Sequence, residues 1–423
     1  MNMKTKDSPD QIKDKAHKVL ERAKQQNNDG INLNDYTLGD EGKPEGTLHS
    51  EEEIPEDLKE SMDKVGIDVN EKKSGLYLQT GNKYDLCVSN TPGIELLPIK
   101  EALKKYDGTD GKLNLQDYLW KAVPYDKDQY TAEAAIQEIS QGYFIYAKKD
   151  RKTVFPLQSC LFVNLPGMKQ VVHNIIIAEE GSELDIITGC STHRIARKAL
   201  HLGVSEFYVK KNARVSFTMV HNWADDTNVR PRTGIILEDN AEFSNFYIVM
   251  SAVRNLQTNP VINLVGKNSS YYGQTLIYGK GNSYFDTGAT AHLIGEGSKA
   301  ELISRVLAID SAHVKARGTI IGDGKDVTGH IDCSALILSD HSRVDSIPEI
   351  QARNPQVTLT HEASVGKIAD DHIEYLMSRG LSESESINLI VSGFLDVDTS
   401  PLPKKLAKET EKIIKLVSEA EMG

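Results

Sequence analysis

Cysteine is scarce in this sequence: Cys87, Cys160, Cys190 and Cys333 are the only four among 423 residues, and no two form a CxxC pair. That scarcity excludes a disulfide framework and, within one chain, a closed structural zinc site of the multi-thiolate kind. Long apolar runs are also missing. None approaches the roughly 18 residues that span a bilayer, and the polar stretch Met1–Asp10 has no apolar core of the signal-peptide kind. The chain is therefore expected to be soluble and cytoplasmic, with no membrane partner. Positive charge is in deficit, 49 Lys and Arg against 61 Asp and Glu. A net charge of −12 is the wrong sign for neutralising phosphates, so no nucleic acid is expected.

Common catalytic signatures are absent too. Gly273–Lys280 resembles a Walker A loop, but the spacing is wrong and Gly281 stands where Ser or Thr would hold magnesium. His361-Glu362 does not extend to HExxH, because Val365 takes the place of the second histidine. No GxSxG elbow occurs. The expectation is a non-catalytic protein that does not hydrolyse ATP by itself.

What is present changes along the chain. Residues 1–70 are charged and helix-forming, as in Gln11–Gln26 and Pro55–Val65, around a loop at Asn27–Gly46. They read as a helical, partly mobile N-terminal region. Residues 71–152 mix strands (Gly75–Gln79, Tyr84–Ser89) with helices (Leu97–Lys105, Leu115–Ala122). Over residues 153–365, short alternating segments such as Val215–Met219 and Val314–Ile320 follow one another, the mark of half-buried strands. Residues 366–423 return to helical spacing. A helix over Asp370–Ser378 ends at Gly380, Ser382-x-x-Glu385 is a capping box before Ile387–Phe394, and a last helix carries Leu406, Ile413, Ile414 and Val417.

The strand region also has recurring corners, as in Gly181-Ser182-Glu183-Leu184, Asn212-Ala213-Arg214-Val215 and Asn240-Ala241-Glu242-Phe243. Asn and Gly suit corners because they tolerate left-handed backbone angles. The small residues Ser182, Ala213, Ala241, Ser269, Ser298, Ser342 and Ser364 lie 31, 28, 28, 29, 44 and 22 residues apart. Reading 44 as twice 22 places one further coil around Ile320. Periods of this length predict a solenoid rather than an antiparallel sandwich. The predicted fold is mainly β, a right-handed parallel β-helix flanked by N-terminal and C-terminal helical regions.

Ten of the twelve histidines lie at or after His173. Two groupings stand out, Cys190-Ser191-Thr192-His193 and Cys333 with His361-Glu362. For any one cysteine the bland alternative is a small buried hydrophobe. Taking Ser342 and Ser364 as equivalent corners, Cys333 and His361 differ by six residues in their place along the coil, roughly 20 Å of extended strand. That spacing predicts that Cys333 of one subunit joins ligands from a second copy across a two-fold axis.

Several short segments, in order from Phe155 to Pro403, resemble the SufB/SufD family. Ile187–His193 resembles its GC[ST] segment; Leu200-His201, Lys211–Val215 and Val220–Trp223 are similar to its LHxxxxE, KNARV and QNW elements. Asp286-Thr287-Gly288, Asp332–Leu336, Arg353-Asn354-Pro355, His361-Glu362-Ala363 and Ile387–Phe394 continue the likeness. The resemblance implies a scaffold for assembling and transferring iron–sulfur clusters, here in a short, archaeal-type form that pairs with itself through the β-helix. It implies a SufC-like ABC ATPase bound through the C-terminal helices, persulfide sulfur from a cysteine desulfurase, and apo-protein acceptors. It assigns Cys190 as sulfur acceptor and Cys333, Glu362 and His361 as ligands of a transient iron–sulfur cluster. Two departures are Asp345-Ser346-Ile347-Pro348 in place of His-Thr-Phe-Pro and Thr360 in place of the usual Glu. A SufD-like partner without a cluster, or a carbohydrate-active β-helix enzyme using Asp310, Asp332 or Asp345, are the competing readings.

Overall fold

The computed structural model describes residues 7–26, 30–39, 44–109, 113–137 and 141–395. Six helices are seen among them: α1 (Pro9–Gln26), α2 (Glu56–Asp63), α3 (Ile99–Lys105), α4 (Gln129–Ile136), α5 (Asp370–Ser378) and α6 (Glu383–Phe394). The strands form two sheets. The first holds β1 (Gly75–Thr80), β2 (Lys83–Ser89), β5 (Leu157–Val163), β7 (Glu183–Thr192), β9 (Arg214–Asn222) and β11 (Glu242–Val249). It continues through β14 (Ser270–Gly279), β17 (Lys299–Ala308), β19 (Thr328–Ile337) and β21 (Thr358–Gly366). The second holds β3 (Ile94–Pro98), β4 (Tyr143–Ala147), β6 (Lys169–Ala178), β8 (Leu200–Val209) and β10 (Asn228–Leu237). It continues through β12 (Asn255–Thr258) and β13 (Val261–Leu264), β15 (Tyr284–Thr287) and β16 (Thr290–Leu293), then β18 (His313–Gly322) and β20 (Arg343–Ala352).

From β4 and β5 onward all pairing within each sheet is parallel, and the chain alternates between sheets. This is a β-solenoid of about eight turns. In the first sheet the register partners Glu183, Arg214, Glu242, Ser270, Lys299, Thr328 and Thr358 lie 31, 28, 28, 29, 29 and 30 residues apart. The solenoid expectation holds, but the 22-residue coil does not. A flattened two-sheet coil has two corners per turn. Ser342 belongs with Ser283 and Ala312 on the corner entering the second sheet, and Ser364 lies inside β21 rather than at a corner.

The other corner is built as its residues require. Asn212, Asn240 and Asn268 adopt φ of 57°, 53° and 53°, with Gly181 and Gly297 before and after them at 70° and 69°. The asparagine side chains form a ladder: Asn240 Nδ2 donates to Asn212 Oδ1 at 3.0 Å and Asn268 Nδ2 to Asn240 Oδ1 at 3.4 Å. Gly297 ends it because a Cβ there would stand 2.5 Å from Asn268 Oδ1.

Apolar side chains from both sheets, among them Phe207, Phe217, Phe243, Phe285 and Ile320, fill the interior. The outer faces of the first coils are covered. On the second sheet, α1 and α4 bury Ala16, Leu20, Ala132 and Ala134 against Val171, Leu202 and Val204. On the first, α2 and the turn after it (Leu58, Met62, Val65, Ile67) pack on Ile187, Val220 and Phe246. The C-terminal helix α6 joins the same apolar cluster through Val391 and Leu395. Its capping box forms as expected, with Ser382 and Glu385 exchanging hydrogen bonds. Leu115–Ala122 is not a helix beyond one 3-10 turn at Leu115–Asp117. Its remainder is a loop pinned by the fully buried Glu206 carboxylate, which accepts from Trp120 N (2.7 Å), Ala122 N (2.7 Å), Val123 N (3.1 Å) and Tyr208 Oη (2.9 Å). His173 Nε2 lies 2.8 Å from the same carboxylate. The expected last helix with Leu406 and Ile413 lies outside the described residues.

Candidate functional site: two interior thiols

Alternation along a strand decides which face each candidate residue serves. In β19, Ile331 and Cys333 point into the core, while Asp332 points outward, held by Arg305 Nη2 at 2.6 Å and Ser334 Oγ at 3.0 Å. The neighbouring β21 pairs His361 with Ile331, Glu362 with Asp332 and Ala363 with Cys333. His361 therefore shares the inner face with Cys333, and Glu362 shares the outer face with Asp332. The six-residue offset predicted from the corners is overturned. One chain sets Cys333 and His361 on adjacent strands, two residues apart in register, about 8 Å between their Cα atoms by strand geometry.

These residues sit at the end of the stack. Cys333 is 3% exposed, whereas His361 and Glu362 are exposed on the last strand of their sheet. Burial pushes the Cys333 thiol above its ordinary pKa, and a hydrogen bond with Ser346, from β20 on the opposite sheet, pulls it back in part. His330 Nδ1 meets Thr360 Oγ1 at 2.8 Å on the outer face. Among the described residues, no three His, Cys, Asp or Glu side chains are grouped so as to hold a metal ion.

Cys190 lies elsewhere. It is fully buried in β7, beside Leu161 of β5 and His221 of β9 in register, and it faces the interior. Desolvation pushes its thiol well above the ordinary value, with the Cys160 thiol adding to the shift. His193 does not join it; at the following corner it approaches Asp57 Oδ2 of α2 at 3.6 Å. Cys160 faces the opposite side of the sheet, among Met62, Phe162 and Val65, and burial pushes it up to about 12. Cys87 donates to the Leu96 carbonyl at 3.4 Å.

Cys190 and Cys333 are separated by five strand-to-strand steps, from β7 through β9, β11, β14 and β17 to β19, or about 24 Å at ~4.8 Å per step. Between them the interior is not fully packed. A void of about 40 Å³ is lined by Met219, Tyr247, Thr275, Ser304 and Cys333 from the first sheet and by Thr258 and Thr287 from the second. Three residues around Cys190 carry polar groups that the sequence reading did not assign as site residues: His201, His221 and Trp223. Their signal was available, since polar side chains at inward positions of an alternating strand are buried by construction. The acids of the carbohydrate reading are dispersed: Asp345 bridges His313 and Arg343, and Asp310 caps Gly281 N.

A parallel β-solenoid with one enclosed thiol and a second thiol at its uncovered end defines the class of protein. The family model for the SufBD core domain of SUF-system FeS cluster assembly matches residues 162–394. An iron–sulfur cluster assembly SufBD family protein of Methanothermobacter thermautotrophicus is 41% identical over 404 residues, covering 95% of this chain and 97% of its own. One from Archaeoglobus fulgidus is 42% identical over 359 residues (85% and 94%), and one from Staphylococcus saprophyticus 31% over 395 residues (90% and 82%). The chain belongs to the SufBD family of iron–sulfur cluster assembly proteins. No described helix is long and apolar enough to cross a membrane.

Proposed function

We propose that this chain is a SufB-like, non-catalytic scaffold that accepts sulfane sulfur at Cys190 and builds a transient iron–sulfur cluster at the open end of its solenoid. Cys333 and His361 are the inner ligands there, and Glu362 is an outer one. The observation that carries the reading is the shared inner face of Cys333 and His361 on the last two strands of one sheet. A firmly held cluster takes four thiolates. One thiolate with harder imidazole and carboxylate donors grips a soft cluster less tightly, which suits a cargo that must leave for apo-protein acceptors.

The remaining ligands come from a second copy. Strands β20 and β21 each have a neighbour on one side only, so their outer edges are free to pair. Ile350 and Val365 there are 38% and 41% exposed. A homodimer joined at this end would cover both. The C-terminal helices offer the surface for a SufC-like ABC ATPase. An open apolar groove of Tyr278, Ile309, Leu338, Ile368, Ile373 and Ile387 runs between α5, α6 and the first sheet, with Tyr375 and Leu389 more than half exposed. ATP hydrolysis is assigned to that partner.

Anaerobic reconstitution with iron and sulfide tests the reading. Visible and Mössbauer spectra of Cys333→Ala should lose the cluster bands, His361→Ala and Glu362→Ala should weaken them, and Cys190→Ala should retain them when free sulfide is supplied. Unchanged spectra in Cys333→Ala would favour the SufD-like alternative.

A further inference from the structure

We propose that the interior around Cys190 takes a small inorganic hydropolysulfide, not a persulfide carried on a protein, and that His221 and Trp223 hold its outer sulfur. This deepens, and rests on, the reading of Cys190 as the sulfur acceptor. Enclosure is the first ground. Cys190 and His221 are fully buried, His201 is 3% exposed and Trp223 is 4% exposed. The void that begins at Met219 and Tyr247 measures about 40 Å³. It admits one or two water-sized groups but no peptide loop bearing a cysteine.

The second ground is a pair of orphaned polar atoms. The rings of His201 and Trp223 lie 4.9 Å apart, those of His221 and Trp223 5.4 Å, and those of His221 and Tyr247 4.9 Å. Tyr247 Oη is 3.2 Å from His221 Nδ1. His221 Nε2 and Trp223 Nε1, by contrast, have no hydrogen-bond partner in the protein. A buried polar group left unpaired costs about 1–3 kcal/mol, so two side by side mark a place built for a polar occupant. When Tyr247 donates to Nδ1, the neutral ring carries its proton on Nε2. His221 and Trp223 then present two N–H donors beside Cys190, suited to a polarisable sulfur anion. Burial keeps His221 neutral by pushing its pKa well below the ordinary value.

The chemistry balances without an oxidant. Cys190 Sγ bonds to the terminal sulfane sulfur of the hydropolysulfide as the S–S bond behind that sulfur breaks. The thiol proton leaves with the shortened hydropolysulfide, and the transferred sulfur keeps its oxidation level. A desulfurase then supplies this protein indirectly, through sulfur it has released to a small carrier.

The test uses the full chain under anaerobic conditions with no partner protein. Inorganic polysulfide should add one sulfur to the Cys190 peptide by mass spectrometry, and persulfidated serum albumin, a donor too large to enter, should not. Loading should be about tenfold or more slower in His221→Leu and Trp223→Phe, while His221→Gln, which keeps an N–H donor, should stay near wild type. Circular dichroism and thermal midpoints report whether each variant folds. Comparable loading by albumin, or wild-type rates in both His221→Leu and Trp223→Phe, overturns the proposal. Failure of both donors to label Cys190 removes the acceptor reading itself, and this proposal with it.

Discussion

Strands β6 and β8, in the first coils, are buried along all ten residues, whereas β21, in the last, is exposed at eight of its nine. Both ends are built from one repeat of 28 to 31 residues with the same left-handed corners. The difference lies in what covers them. Helices α1 to α4 and the Glu206-pinned loop close the outer faces of the early coils, and α6 reaches the outer face of the first sheet. Beyond β20 and β21 no further coil follows. One scaffold thus offers two environments to two thiols, a sealed one at Cys190 and a nearly open one at Cys333. Strand repetition sets the positions; the appended segments set the accessibility.

The contrast can be broken at several points. The largest effect is expected from Glu206→Ala, which strands three backbone N–H groups and His173 in the covered end. It should lower unfolding free energy by about 3–5 kcal/mol in chemical denaturation, whereas Glu362→Ala at the open end should stay within about 0.5 kcal/mol. Next comes a methyl group. A Cβ on Gly189 would stand 2.2 Å from Val65 Cγ2, while Gly366 has nothing within 4 Å. Gly189→Ala should cost about 2 kcal/mol by overpacking and Gly366→Ala close to nothing; thermal midpoints measure both.

Protonation sharpens the same comparison. Burial lowers His201 from 6.5 to about 3 and His221 well below 6.5. A depressed histidine stays neutral in the folded state while the unfolded chain takes up a proton. Its contribution is therefore complete above pH 6.5 and is lost as pH falls toward the folded value. Denaturation titrations from pH 7 to 4 should show stability falling, and His201→Gln should flatten the slope by about 1.4 kcal/mol per pH unit. The smallest effect belongs to the corner ladder. Asn240→Ala should cost about 1 kcal/mol through the left-handed backbone and the lost side-chain bonds, and Asn240→Gly less.

Much of the fold was legible because alternation and corner residues are local signals. The asparagines at 212, 240 and 268 declared their backbone angle, and the capping box at Ser382 declared the start of α6. The coil length near the end was not. In the last two coils Val327 and Val357 take the corner position that Ser or Ala fills earlier, so a search for small residues slid onto the opposite corner at Ser342 and onto Ser364 within a strand. The register of the candidate site failed with it. Had the early spacing been carried forward, residues 332 and 333 would have met 362 and 363 directly. The Glu206 cage was out of reach for another reason: its partners at Trp120 and Val123 lie over 80 residues away and are backbone atoms, which leave no mark in side-chain patterns.

Cys333 and Glu362 stand on opposite faces of a wall one strand thick. Cargo tied to both must either straddle the free rim of that wall or borrow its carboxylate from a second molecule docked against it. In either arrangement the load rests at a boundary, and it can depart sideways as the boundary parts, without being drawn back through the packed interior.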